Sequence, residues 1–257
     1  MKDCTVTVGV DCATQPSAAL YCVIEWSVSR PGVEVLRRPD PDWGDLIACL
    51  DGAGRNGCFA GLDVPLGWPR SFVQALQCHA SGHPWPAGDL SDPHYFRLTD
   101  LRVPGRRPLS VSTNLLGATA IKAAMLLRPF VAEGRVDRSG LSGAVCEVYP
   151  RAALEAWRLL PAESYKSAGA RQIRQTIVQR LVGQLPWIAE TPGLAEALSI
   201  DDDHLDAFVA ALVARLVLAH RGVVPPGPDD LELAREEGWI WVPEADSLSL
   251  LATSDTL

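Results

Sequence analysis

CTVTVGVDCATQPSAALYCVIEWSVSRPGVEVLRR, residues 4–38, is the stretch that decides the fold. Residues 4–11, 18–28 and 33–38 are rich in β-branched and aromatic residues. Short connections separate them, one carrying the turn signal Pro31-Gly32. Such runs suit a pleated, half-buried surface, and three of them in close succession predict an antiparallel meander. The first run closes on Gly9-Val10-Asp11, which puts a carboxylate at the end of a buried strand.

Beyond the meander, helical and strand patterns alternate. DWGDLIACLDGA, residues 42–53, predicts a short helix closed by Gly52 and Gly54. CFAGLDVP, residues 58–65, is a continuous apolar run and predicts a central strand covered on both faces. A short helix follows near 69–78. Residues 80–108 are rich in Gly, Pro and His without periodicity, and a loop of that length is usually functional or mobile. A helix opens at Ser110 or Ser112, with a stripe at Leu115, Leu116, Thr119, Ala120, Ala123 and Leu127. AVCEVYP, residues 144–150, predicts a fifth strand, with Pro150 opening the next helix. A basic amphipathic helix spans 168–184, and DDDHLDAFVAALVARLVLAH, residues 201–220, predicts another with Leu205, Phe208, Val209, Leu212 and Leu216 facing the core. EGWIWVP, residues 237–243, predicts a last short strand. The order is that of a mixed α/β sheet flanked by helices in one domain over 1–257, with an insertion at about 80–140.

The 257 residues are 47% hydrophobic and 21% charged, an ordinary globular balance. No apolar run is long enough to span a bilayer, and the first residues lack a signal-peptide core, so the expected location is cytoplasmic. Seven cysteines are present without a CxxC pair. Cys78, His79, His83 and His94 fit no common zinc spacing and read as a surface loop. The net charge is −8, but residues 97–180 hold 14 basic and 6 acidic residues, a local net of +8. That asymmetry suits an anionic partner, and equally suits solvated helix faces.

Four acids stand where the predicted elements would bring them together: Asp11, Asp63, Glu147 and Asp206. Three end or interrupt apolar strands, where an ionised carboxylate is costly unless neutralised. The alternatives are local: a turn cap for Asp11 or Asp63, and an ion pair with Arg151 for Glu147. Asp202, Asp203 and Asp206 lie at a helix start, where acids also complement the dipole. Their spacing sets carboxylates side by side, and a bound cation would relieve their repulsion. Carboxylate oxygens favour Mg2+ or Mn2+, metals that usually serve phosphate chemistry. Asp11, Asp63, Asp203 and Asp206 are the candidate ligands, with Glu147 as a further catalytic candidate. Arg97, Thr99, Arg102, Lys166 and Arg171 are candidate phosphate contacts.

GVD (9–11), LDVPLGWP (62–69), RLTD (97–100), EVYP (147–150), the Tyr165-Lys166 pair, DDHLDAFVAAL (202–212) and EGWIWVP occur in one order. Together they resemble family 429 of domains of unknown function, described as predicted nucleases with a ribonuclease H-like fold. The resemblance runs roughly from Val6 to Pro243. It implies that Asp11 heads the first strand, that Asp63 ends the fourth, and that Asp206 with Asp203 completes the acidic cluster from the C-terminal helix. Leu98 stands in RLTD where a second Arg is expected, which weakens phosphate gripping by that loop. The function expected is metal-dependent hydrolysis of DNA or RNA. Two other classes stay open: an actin-like ATPase or phosphotransferase, whose phosphate loop would want Gly at Cys12 or Ala13, and a non-catalytic binding module on a decayed nuclease fold.

Overall fold

The computed structural model describes residues 6–26, 31–52, 58–86, 94–167 and 169–252. The outer ends of the first two expected strands, the centre of the loop at 80–108 and the C-terminal tail lie outside the described residues.

The meander is present. Strand β1 (Val6–Asp11) pairs antiparallel with β2 (Leu20–Trp26), which pairs antiparallel with β3 (Pro31–Arg37). After helix α1 (Gly44–Gly52), β4 (Cys58–Asp63) returns to lie parallel beside β1. Helices α2 (Arg70–Ala80), α3 (Leu98–Arg102) and α4 (Asn114–Ala132) precede β5 (Val145–Val148), which is parallel to β4. Next come α5 (Pro150–Ala156), α6 (Arg171–Gln184), α7 (Trp187–Glu190), α8 (Leu194–Ala197), α9 (Asp202–Ala219) and α10 (Leu231–Glu237). Strand β6 (Ile240–Trp241) closes the sheet, parallel to β5. The sheet order is β3-β2-β1-β4-β5-β6.

Helices cover both faces of this mixed sheet. Val8, Val10, Ala60 and Leu62 pack toward α1 and α4, and Leu20, Cys22, Phe59 and Cys146 pack toward α5, α6 and α9. The sequence expectation for α9 was a one-sided stripe. Instead every residue from Leu205 to Val217 is buried, because the helix lies between the sheet and the α5–α8 layer. Its seat is set by glycine. Gly9 and Gly61 are partners across β1 and β4. A Cβ on Gly9 would collide with the Ala207 carbonyl and the Ala211 amide, and one on Gly61 would lie 2.6 Å from the Ala210 carbonyl oxygen. The Asp201 carboxylate caps the helix by accepting from the His204 amide at 3.0 Å. No described helix is long and apolar enough to cross a membrane.

Candidate functional site

Asp11 and Asp63 are the last residues of β1 and β4 and are partners in the parallel register. Side chains alternate along a strand, so each aspartate shares a face with the glycine two residues before it. That is the face on which α9 lies. Because the helix backbone rests on both glycines, Asp206, one residue ahead of the Ala207 contact, reaches the same point. Each of the three carboxylates places an oxygen within 4.8 Å of the other two. Among the described residues, this is the one group of three or more acidic, His or Cys side chains that could hold a metal ion. The Cys78 and His79 region belongs instead to the end of α2, where the His79 and His94 rings flank Trp85.

Burial and mutual repulsion dominate the electrostatics. Burial, then Asp206 and Asp63, holds the Asp11 carboxyl well above the usual carboxylate range. Burial also pushes Asp63 up to about 7, with Lys166 opposing and Asp206 reinforcing. Asp206 is compensated directly. Its Oδ1 accepts from the Tyr165 hydroxyl at 2.8 Å and its Oδ2 from Lys166 Nζ at 2.6 Å. Burial works against the Lys166 charge, but Asp206, Asp63 and Asp11 outweigh it and raise its pKa. By contrast, no described residue donates a hydrogen bond to Asp11 or Asp63. An all-oxygen donor set, with two half-buried carboxylates lacking donors, fits a hard divalent cation.

The triad's two strand-end members lie in a cleft of about 420 Å³. Arg106, Arg107, Tyr149, Arg151 and Lys166 are among its lining residues. The Nε of Arg151 is buried without a hydrogen-bond partner. The guanidinium of Arg107 lies 4.7 Å from the Phe96 ring centroid.

Other residues singled out in the sequence have different surroundings. Glu147 is in register with Leu62, so strand alternation turns it to the face opposite α9. There it is buried against Arg97, with contacts of 2.6 and 2.7 Å, and accepts from the Leu66 amide at 2.9 Å. Its ion-pair partner is thus Arg97, not Arg151. Arg97 also grips Asp100 and is 1% exposed. Thr99 is buried and accepts from the Ile240 amide at 2.7 Å, tying α3 to β6. Asp203 pairs with Arg38 at 3.0 Å. Arg102 pairs with Asp230 at 3.1 Å and Arg171 with Glu196 at 3.5 Å, both outside the cleft lining. Of the five expected phosphate contacts, Arg97 and Lys166 line the cleft, and Arg97 is committed to carboxylates.

Two tyrosines carry no role in the sequence reading, and an arginine carries a different one. Tyr165 was part of a motif, and its neighbour Lys166 was the usable signal. Tyr149 follows Val148 in EVYP and lines the cleft. Arg174, on the predicted basic helix, reads as a possible phosphate contact. It is buried and donates to the carbonyls of Tyr165, Ser167, Ser199 and Ile200. Nothing local in the sequence marks it.

Residues 9–231 match the family described as protein of unknown function (DUF429), and the chain belongs to that family. The match spans β1 through the start of α10 and so contains the whole triad. No curated protein and no solved structure matches the chain.

Proposed function

We propose that this DUF429 member is a divalent-metal-dependent nuclease that hydrolyses phosphodiester bonds of DNA or RNA. One observation carries the reading: the Asp11, Asp63 and Asp206 carboxylates converge at a cleft also lined by Arg106, Arg107 and Arg151. Negative groups gathered at one point with cations around them suit a metal on the carboxylates and a phosphate backbone on the arginines.

Asp11 and Asp63 would hold the ion, Mg2+ or Mn2+, whose chemistry is to acidify a bound water and offset phosphate charge. The chain's own residues supply position. Paired strand ends set the two half-buried carboxylates at a fixed spacing at the edge of the cleft. Arg106, Arg107 and Arg151 steer and hold the substrate backbone, which positions it without reading sequence. All described cysteines are free, which suits the cytoplasmic setting that this reading includes.

The test is cleavage of labelled single-stranded and duplex DNA and RNA with Mg2+ or Mn2+. Wild-type protein cuts at least one substrate, and Asp11→Asn does not. Equal cleavage by the variant excludes the triad as the site. A second reading, a non-catalytic nucleic-acid-binding module, draws on the Lys166–Asp206, Arg97–Glu147 and Arg38–Asp203 pairs, which already neutralise three of the acids. Oligonucleotide binding that neither needs a divalent ion nor leads to cleavage would favour it.

A further inference from the structure

We infer that the cleft takes one divalent cation, held by Asp11 and Asp63, and that Lys166 seated on Asp206 is its built-in second positive charge. This rests on the metal-dependent reading above and narrows it. A triad of three carboxylates would otherwise suggest a pair of ions.

The three acids are not equivalent. Asp206 already has a donor on each oxygen, Tyr165 on one and Lys166 on the other. Asp11 and Asp63 have none among the described residues. An incoming cation therefore meets two carboxylates with open lone pairs and a third already engaged by an ammonium. The charges agree. Three carboxylates and one ammonium leave a formal charge of −2, which one divalent ion neutralises and two would reverse.

Lys166 is held rather than incidental. The backbone carbonyls on either side of it, those of Tyr165 and Ser167, both accept from Arg174 Nη1, at 2.7 and 3.0 Å. The same guanidinium also donates from Nε and Nη2 to the Ser199 and Ile200 carbonyls, at 3.3 and 3.0 Å. Those residues directly precede the cap of α9, so Arg174 ties the lysine's loop to the helix that carries Asp206. Lys166 thus reaches its carboxylate across 40 residues with its backbone fixed on both sides, which is the preorganisation a useful charge requires. Arg174 is the positioning residue, and Lys166 is the group that faces the cleft.

The experiment is manganese titration of the full-length protein, followed by calorimetry and by the paramagnetic resonance of free Mn2+, alongside the cleavage assay. Wild-type protein is expected to bind one Mn2+ per chain. The double variant Lys166→Met, Asp206→Asn removes the ion pair as a unit and is expected to bind one Mn2+ still, whereas Asp11→Asn and Asp63→Asn lose binding. Lys166→Met alone, in a side chain that is 40% exposed, is expected to slow cleavage on the order of 100-fold, as loss of a preorganised charge does, while Mn2+ binding persists. Two Mn2+ on the wild type, loss of binding in the double variant as complete as in Asp11→Asn, or wild-type cleavage by Lys166→Met would each overturn the inference. A wild type that binds one Mn2+ yet cuts nothing defeats the nuclease reading alone, and the ligand assignment then stands or falls on the binding data. Absence of Mn2+ binding at millimolar concentration defeats both.

Discussion

Gly9 and Gly61 stand opposite one another in β1 and β4, and the backbone of α9 lies against both. This contact brings Asp206 to the two strand-end aspartates. Alanine at either position has no room, because the atoms it meets are backbone atoms of a buried helix that cannot step aside. Gly9→Ala is expected to cost about 3 kcal/mol or more, or to prevent folding. Gly44→Ala, where the nearest atom is a flexible carboxylate 3.2 Å away, serves as the tolerated control. Thermal melting of both variants checks this, and a Gly9→Ala protein as stable as wild type would mean that α9 does not sit on these strands.

Stability of the metal-free protein is expected to fall as pH rises from about 4 to 7. The sign follows from the acids. Asp63 has an ordinary value of 3.8 and is pushed up to about 7 in the fold, so in that window the native state binds more protons than the unfolded chain. Asp11 and Glu147, both raised by burial, act in the same direction. This is the reverse of a salt-bridged carboxylate with a depressed value. The melting temperature is expected to drop by at least about 3 °C between pH 5 and 7.5, the shift that roughly 1 kcal/mol produces at this chain length. Saturating Mn2+ should remove the drop, because the ion stabilises the ionised carboxylates. A melting temperature that rises over this range without metal would contradict the burial of the pair.

Arg97 is expected to be a stability residue. It joins Glu147 and Asp100 in a site closed to water, and its own pKa rises because those two carboxylates outweigh its burial. Removing it leaves two buried acids with no cation, a loss of about 3–5 kcal/mol. Lysine should not rescue it, since the contacts use the fork of the guanidinium. Arg102→Ala, which breaks an exposed pair with Asp230, should cost no more than about 1 kcal/mol. Urea denaturation of the three variants makes the comparison.

These contrasts mark where sequence reading stops. The meander was legible because β-branched runs and a Pro-Gly turn act locally, and the Gly-x-Asp endings of β1 and β4 carried both strand and site. The outline of α9 was legible from its cap and apolar residues. Its burial on every side was not, because that depends on helices α5 to α8 folding over it. Short helices α3, α7, α8 and α10 span one or two turns and leave no period to detect. Glu147 looked like a partner of the aspartates until register placed it on the other face. Its cation is 50 residues away in a loop, as Lys166 is 40 residues from Asp206. Spacing along the chain carries no signal for pairs of that kind. The excess of positive charge over 97–180 was visible, yet Arg97, Arg135 and Arg174 spend it on carboxylates and backbone carbonyls inside the fold.

The basic residues left facing the cleft are therefore the ones to test for substrate binding. Arg106 and Arg151 line it, and no ion pair among the described residues engages either. Arg102 and Arg171, from the same basic stretch, have acidic partners elsewhere on the surface. If the cleft holds a phosphate backbone, Arg106→Ala with Arg151→Ala should weaken oligonucleotide binding across sequences alike. It should also reduce the slope of log K against log salt by about 2, one for each lost phosphate contact. Arg102→Ala with Arg171→Ala should leave the slope unchanged while removing the same formal charge. Fluorescence anisotropy over a range of salt concentrations separates the two. Equal slopes for both double variants would show that net charge, and not the cleft, governs binding.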